Sequence, residues 1–316
     1  MSQDKKHNTS KKTTFTCAKD AVAASLNDIE QLYQARGIVS GLTTGFPTLD
    51  HMTDGMHPGQ LILIASRQSV GKTTLAMNIV EHVAIEAGKP VAVFSLDIPT
   101  SLLMQRMICS LARVNLASIR NGLIKESDFP ALTEAGAKWA KAGLLIDETR
   151  ALTIEELAVR LRSCVTDHGI KLAVIDFLEL LRPAPHEVSE RRDVHFTALL
   201  TQIKDLAVEL GIPIIVLSDL NPSDANSREE ALECPRLWEL RESARIERPA
   251  DLVILLFRAE YYAVRKKELK AVAGKATAII AKQRNGPTGD IRLRFEKEFT
   301  RFSELKETVK EGRKRQ

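Results

Sequence analysis

The sequence predicts an α/β fold: a mostly parallel sheet with helices on both faces. Three observations predict it. Short, near-continuous apolar runs of strand length alternate with segments of helical apolar spacing, as in parallel sheets covered on both sides. The stretch Ser66-Arg67-Gln68-Ser69-Val70-Gly71-Lys72-Thr73-Thr74 joins the end of one apolar run to the start of a helical pattern. Other runs end in a carboxylate, at Asp97, Asp147 and Asp176. Strands are expected at 61–65, 91–96, 144–147, 172–175, 212–218, 252–257, 276–281 and 291–295. Helices are expected near 72–87, 100–113, 127–141, 153–167 and 193–210.

The Ser66–Thr74 stretch carries the first chemistry. A phosphate chain needs backbone N–H groups turned toward it, a helix N-terminus, an ammonium for its outer oxygens and a hydroxyl for Mg2+. Ser69, Val70, Gly71, Lys72, Thr73 and Thr74 supply these at the spacing of a P-loop. The full pattern has Gly five places before Gly71, where this chain has Ser66. The expected ligand is a nucleotide with Mg2+.

Ligands of parallel sheets collect at the carboxyl ends of the strands. Asp176, ending Leu172-Ala173-Val174-Ile175, is therefore expected beside the P-loop. There it holds Mg2+ in the Walker B role, with Thr73 as direct ligand. A second carboxylate at that rim has the chemistry of a general base for water attack on the γ-phosphate. Spacing alone leaves both Asp97 and Asp147 open for it.

The ends of the chain differ from its body. Residues 1–16 carry four Lys against one Asp, and residues 301–316 six Lys or Arg against three Glu, so each tail carries +3 and, against a net charge of +4, the body carries −2. Basic tails suit a polyanion or simply keep the chain solvated. Between tail and body, Val22, Leu26, Ile29 and Tyr33 recur as one apolar stripe on a helix over 18–35. It folds back on its own domain or docks on a neighbouring subunit; both readings stand. The expected organisation is a disordered tail at 1–16, a helical segment at 17–38, a nucleotide-binding α/β domain at 39–303 and a basic tail at 304–316. No apolar run reaches the ~18 residues of a membrane span and no secretory block opens the chain, so a cytoplasmic protein is expected. The four Cys are far apart and read as ordinary thiols.

From about Val39 to Phe302 the chain resembles the RecA-like motor domain of the DnaB replicative helicases. The resemblance rests on Gly41-Leu-Thr-Thr-Gly-Phe, Ser66 to Thr74, Phe94-Ser-Leu-Asp-Ile-Pro99, Val174-Ile-Asp-Phe-Leu178, Leu240-Arg-Glu-Ser243 and Lys282-Gln-Arg-Asn-Gly-Pro287. It implies a homo-oligomeric ring, normally hexameric, with ATP at each subunit interface and single-stranded DNA in the channel. It implies Asp97 as the general base. Lys282 and Arg284 match the pair that reaches into the neighbouring subunit's site. Arg192, Arg241, Glu242 and Ala244 match channel-facing DNA contacts, and the 18–35 helix matches the linker helix. A helicase loader is an implied partner.

Several positions depart from the family pattern. Asp97 replaces a Glu and is shorter by one methylene, a displacement of about 1–1.5 Å that costs ~100-fold in rate if uncompensated. Asp219 replaces a Gln expected to sense the γ-phosphate or relay to DNA; an anion there must bind metal, pair with a cation or turn away. Glu179 replaces a Gln, and Ala244 a Gly. The family's N-terminal collar, which helps recruit primase, is expected to be missing, and primase contact with it. Two functions follow: an ATP-driven helicase or translocase, or a nucleotide-binding ring with weak or lost turnover.

Overall fold

The computed structural model describes residues 17–35, 39–182, 192–220, 234–240, 248–261 and 272–305. The chain divides into two units, 1–40 and 41–316. In the first, α1 (Ala18–Ala35) is a single helix on which Val22, Leu26, Ile29 and Tyr33 are all more than half exposed.

The second unit is built on a sheet of nine strands among the described residues. These are β1 (Leu61–Ser66), β2 (Val91–Ser95), β3 (Leu144–Asp147), β4 (Leu172–Asp176), β5 (Ile214–Asp219), β6 (Leu252–Phe257), β7 (Lys275–Gln283), β8 (Gly289–Glu296) and β9 (Arg301–Glu304). Their order is β3-β2-β4-β5-β1-β6-β7-β8-β9. The first six are parallel and the last three continue the sheet antiparallel. The P-loop strand β1 thus lies between β5 and β6, with β4 one strand further.

Both faces are covered, which is why the parallel strands read as continuous apolar runs. Ile62 and Ile64 share one core with α2 (Pro47–Thr53), α3 (Lys72–Glu81), α4 (Thr100–Ala112) and Trp139 of α6 (Phe129–Lys141). Leu61, Leu63 and Ala65 share the other with α7 (Ile154–His168) and α8 (Arg192–Leu210). Burying each such side chain is worth about 1.5–3 kcal/mol, and the two-sided core fixes where every strand ends. β8 alternates instead: Ile291, Leu293 and Phe295 are buried while Arg292 and Arg294 face out, the pattern of a strand covered on one side.

Local chemistry sets the boundaries. Thr153 and Glu156 form a reciprocal capping box at the start of α7, and Gly169 takes the left-handed cap at its end. β5 starts two residues later than expected, after Pro213, and runs to Asp219 because Ser66 pairs with it. The helix expected over 72–87 keeps α geometry only to Glu81 and continues as a π turn, His82–Glu86. Apolar spacing does not register that change. Here Glu81 is tied to Arg301 at 2.7 Å and His82 to Thr43 at 2.8 Å. The pattern also did not reveal α2, α5 (Leu116–Arg120) or β9, elements of seven, five and four residues that are too short to show a period. No helix among the described residues is long and apolar enough to cross a membrane. None of Cys17, Cys109, Cys164 and Cys234 is in a disulfide.

Candidate nucleotide site

Past β1 the backbone turns sharply, with Ser69 (φ 62°) and Gly71 (φ 118°) both left-handed. Gly71 is required twice over: its φ suits glycine, and a Cβ there would lie 3.1 Å from the Phe302 ring. The helix α3 opens at Lys72 with Gly71 as N-cap and no capping side chain, so its first N–H groups face the rim of the sheet. Ser69 is exposed, Val70 is buried, and Thr73 and Thr74 are half-buried in the first turn.

The loop is braced from three sides. Arg67 reaches Glu239 through Nη2 and Nε at 2.8 and 3.1 Å, both side chains being buried. Arg258, just past β6, donates to the Val70 carbonyl at 3.1 Å and to Glu260 at 2.5 Å, and its guanidinium lies 3.6 Å from the Phe295 ring centroid. Phe302 on β9 donates its N–H to Asn78 of α3 at 2.9 Å. Sequence reasoning missed Arg258. The rim rule that selected Asp176 would have found it, because Arg258 follows the end of the strand next to β1.

Thr73 donates its hydroxyl to Asp176 Oδ2 at 2.8 Å. Burial pushes the Asp176 carboxyl up to about 6, with Asp97 and Asp219 adding to the shift and Thr73 and Lys72 opposing it. Asp97 is exposed, two residues past the end of β2, whose Ser95 is in register with Asp176. Asp147 ends the edge strand β3; it pairs with Arg160 and accepts the Thr149 N–H at 2.8 Å, which is a cap. Arg106, inside α4 and half-buried, feels the charge of both Asp176 and Asp97, a convergence that no sequence signal marked.

Asp219 takes the second of its three options and pairs with a cation, the P-loop Lys72 itself. Glu179, in the turn after β4, accepts from the Ser218 hydroxyl at 2.6 Å and from the Asp219 N–H at 2.9 Å. Its carboxyl is raised by burial, and its Oε2 has no hydrogen-bond partner among the described residues. The donor set fits a magnesium-bound triphosphate. Mg2+ takes one or two protein oxygens and completes its shell with water and phosphate. Thr73 and Asp176 offer two adjacent oxygens at a helix N-terminus, and no cluster of three or more His, Cys, Asp or Glu competes among the described residues.

Lys282 and Arg284 are elsewhere. Lys282 Nζ donates to the Ala250 carbonyl at 2.8 Å, and Arg284 Nη1 pairs with Asp251 Oδ1 at 3.0 Å. Asp251 Oδ2 accepts the N–H of Leu61, the first residue of β1, whereas Lys72 follows its last. The two cations and the P-loop thus lie at opposite ends of a six-residue strand, roughly 20 Å of extended chain. Arg192 opens α8. Arg241, Glu242 and Ala244 lie outside the described residues.

Comparison with known proteins places this geometry. A family model described as the DnaB-like helicase C terminal domain matches residues 41–304. The chain belongs to that family. The replicative DNA helicase DnaC of Bacillus subtilis is 33% identical over 293 residues, covering 93% of this chain and 63% of its own. The replicative DNA helicase DnaB of Haemophilus influenzae is 39% identical over 272 residues, covering 85% of this chain and 56% of its own. The chain therefore spans about three fifths of the length of the curated relatives it matches. Among solved structures, one described as an ATPase domain superposes with a TM-score of 0.83 at 28% identity, covering 92% of this chain and all of that one. A DnaB-like replicative helicase, described with its interactions with primase, gives 0.80 at 27% identity over 92% of this chain and 68% of that one. The fold is accordingly the RecA-like ATPase fold of DnaB-like helicases. Within this DnaB-like domain, the ion pair between Asp219 and Lys72 stands where the resemblance leads one to expect a neutral Gln.

Proposed function

We propose that this chain is the motor of a DNA helicase of DnaB type, hydrolysing Mg-ATP at the interfaces of a homo-oligomeric ring to move along single-stranded DNA. One observation carries it. Lys72, Thr73, Asp176 and Asp97 gather at the carboxyl rim of the sheet, while Lys282 and Arg284 sit at the opposite rim. A subunit arranged in this way completes a triphosphate site by lending its cations to a neighbour. The family pattern supports a ring of six, opened onto DNA by a loader, with α1 packed on the adjacent subunit.

The roles follow from the chemistry. The backbone N–H groups from Ser69 to Thr74 hold the phosphate chain at the helix N-terminus. Lys72 exchanges Asp219 for the outer phosphate oxygens, and Asp219, once released, reports that the nucleotide has arrived. The Thr73 hydroxyl and the Asp176 carboxylate would hold Mg2+, which would supply a Lewis acid that offsets the charge of the phosphate chain. Asp97 takes a proton from the attacking water. Arg284 and Lys282 of the adjacent subunit stabilise the transferring phosphoryl group. The resemblance assigns DNA contact to Arg192, Arg241, Glu242 and Ala244, a set in which the Arg side chains and backbone N–H groups would hold phosphates without reading sequence.

The test is DNA-stimulated ATPase activity of the full chain beside three variants. Lys72→Ala is expected to lose at least ~100-fold and Arg284→Ala ~1000-fold, as for other trans-acting arginines. A second reading, a nucleotide-binding ring with little turnover, is favoured by the Lys72–Asp219 pair and by the short Asp97. It predicts an inactive wild type whose turnover appears in the third variant, Asp97→Glu.

A further inference from the structure

We propose that Asp251 is a positioning residue that holds Arg284 in the orientation in which it is offered to the neighbouring subunit, and that it fixes this orientation to the frame of its own β1. The proposal rests on the reading of Arg284 as trans-acting.

The contacts divide between the two oxygens of one buried carboxylate. Oδ2 is taken by the Leu61 N–H at 2.9 Å and by Lys204 Nζ at 2.6 Å, and Lys204 is itself anchored on the Gly59 carbonyl at 2.7 Å. Oδ1 is left for Arg284, at 3.0 Å from Nη1. The main chain repeats the attachment, since the Arg284 N–H donates to the Asp251 carbonyl and the Asp251 N–H to the Leu61 carbonyl, both at 2.9 Å. Arg284 is therefore gripped by backbone and by one end of its guanidinium. The side chain remains half-exposed in a cleft of about 620 Å³ that Lys204, Asp251 and Asn285 also line. A guanidinium has five N–H donors in a rigid fork. Held by one nitrogen, it keeps the rest of the fork for a phosphate brought in by another chain.

The same carboxylate secures the first residue of β1, and the P-loop leaves the last. β1 is hydrogen-bonded on both sides within the sheet and fully buried, so it transmits displacement along its length. A shift of the P-loop strand on nucleotide binding would therefore move the cation presented to the next site. An orientation error of about 1 Å at a reacting group is worth ~100-fold in rate, so a displacement of that size carried along β1 would couple neighbouring sites.

Asp251→Asn isolates the Arg284 contact. With its oxygen in the place of Oδ2, the Asn still accepts from Leu61 and Lys204, and its amide N–H then faces the guanidinium. In the full-length ring the ATP dissociation constant is expected to stay within about twofold of wild type while DNA-stimulated kcat falls ~10–100-fold. Mixing with Lys72→Ala subunits is expected to restore part of the activity, because these lend a correctly held Arg284 to the intact P-loop of the Asn subunit. Mixing with Arg284→Ala subunits is expected to restore none. Rescue by Arg284→Ala but not by Lys72→Ala would assign Asp251 to its own P-loop and overturn the proposal, as would an unchanged kcat. Asp251→Glu keeps the charge but moves the buried carboxylate by about 1–1.5 Å, so kcat is expected to fall ~10–100-fold as in the Asn variant; should the Asn variant not fold, the same two mixtures with Glu decide. Full activity of Arg284→Ala alone is a separate result, and it removes the trans reading itself.

Discussion

Asp176→Asn is expected to stabilise the nucleotide-free protein by about 3 kcal/mol at pH 8 and to reduce ATP turnover at least ~100-fold. The carboxyl is buried and its value rises from 3.8 to about 6 on folding, mainly through desolvation. The native state then binds more protons than the unfolded state between these values, so stability falls as pH rises through that window. Above about 6 the whole cost is present; Asn never incurs it, and its carbonyl still accepts from Thr73. A melting temperature higher by ~5–10 °C at pH 8, converging with wild type near pH 4, checks the sign. The stored cost has a use in the proposed function. A desolvated anion next to a hydroxyl and an ammonium is stabilised when a divalent cation arrives, so Mg-nucleotide is expected to stabilise wild type far more than the Asn variant.

Asp219→Gln is expected to tighten ATP binding ~10–100-fold. Asp219 engages Lys72 in a largely buried ion pair, so incoming phosphates must displace one carboxylate and then endure its charge. At an effective dielectric constant of 20, two unit charges about 5 Å apart interact by ~3 kcal/mol, and partial exposure reduces that toward the lower end of the stated range. Gln removes both obstacles. The free protein is expected to be less stable by about 1–3 kcal/mol, because Lys72 loses its partner. Titration with a non-hydrolysable ATP analogue reads the effect. Weaker binding in the Gln variant would mean that Asp219 prepares Lys72 rather than competing for it.

Much of this site was legible because parallel strands carry their chemistry at one rim. Gly71-Lys72-Thr73 between an apolar run and a helix, and Asp176 at the end of another run, needed only that rule. Between Asp97 and Asp147 the residues alone were silent; the sheet order separates them, since β2 lies next to β4 while β3 is at the edge, where Asp147 caps a turn. The partner of Asp219 was not legible, because it depends on a contact across 147 residues of sequence. Arg258 and Arg106 escaped for a related reason: one follows an ordinary strand and the other sits within a helix, and only packing brings them to the P-loop and the two carboxylates. Lys282 and Arg284 look like any basic strand end. The role proposed for them came from the resemblance, and the structure adds what grips them.

The central claim is that each triphosphate site is completed by cations from the next subunit, and mixing two inactive variants tests it most directly. Lys72→Ala and Arg284→Ala subunits, each ~100-fold or more below wild type alone, are combined in varying ratio and assayed for DNA-stimulated ATP hydrolysis. The account predicts activity in the mixtures that neither variant shows alone, greatest near equal proportions, because some interfaces then join an intact Lys72 to an intact Arg284. Mixtures no more active than their components, at a ratio where co-assembly is demonstrated, would contradict it.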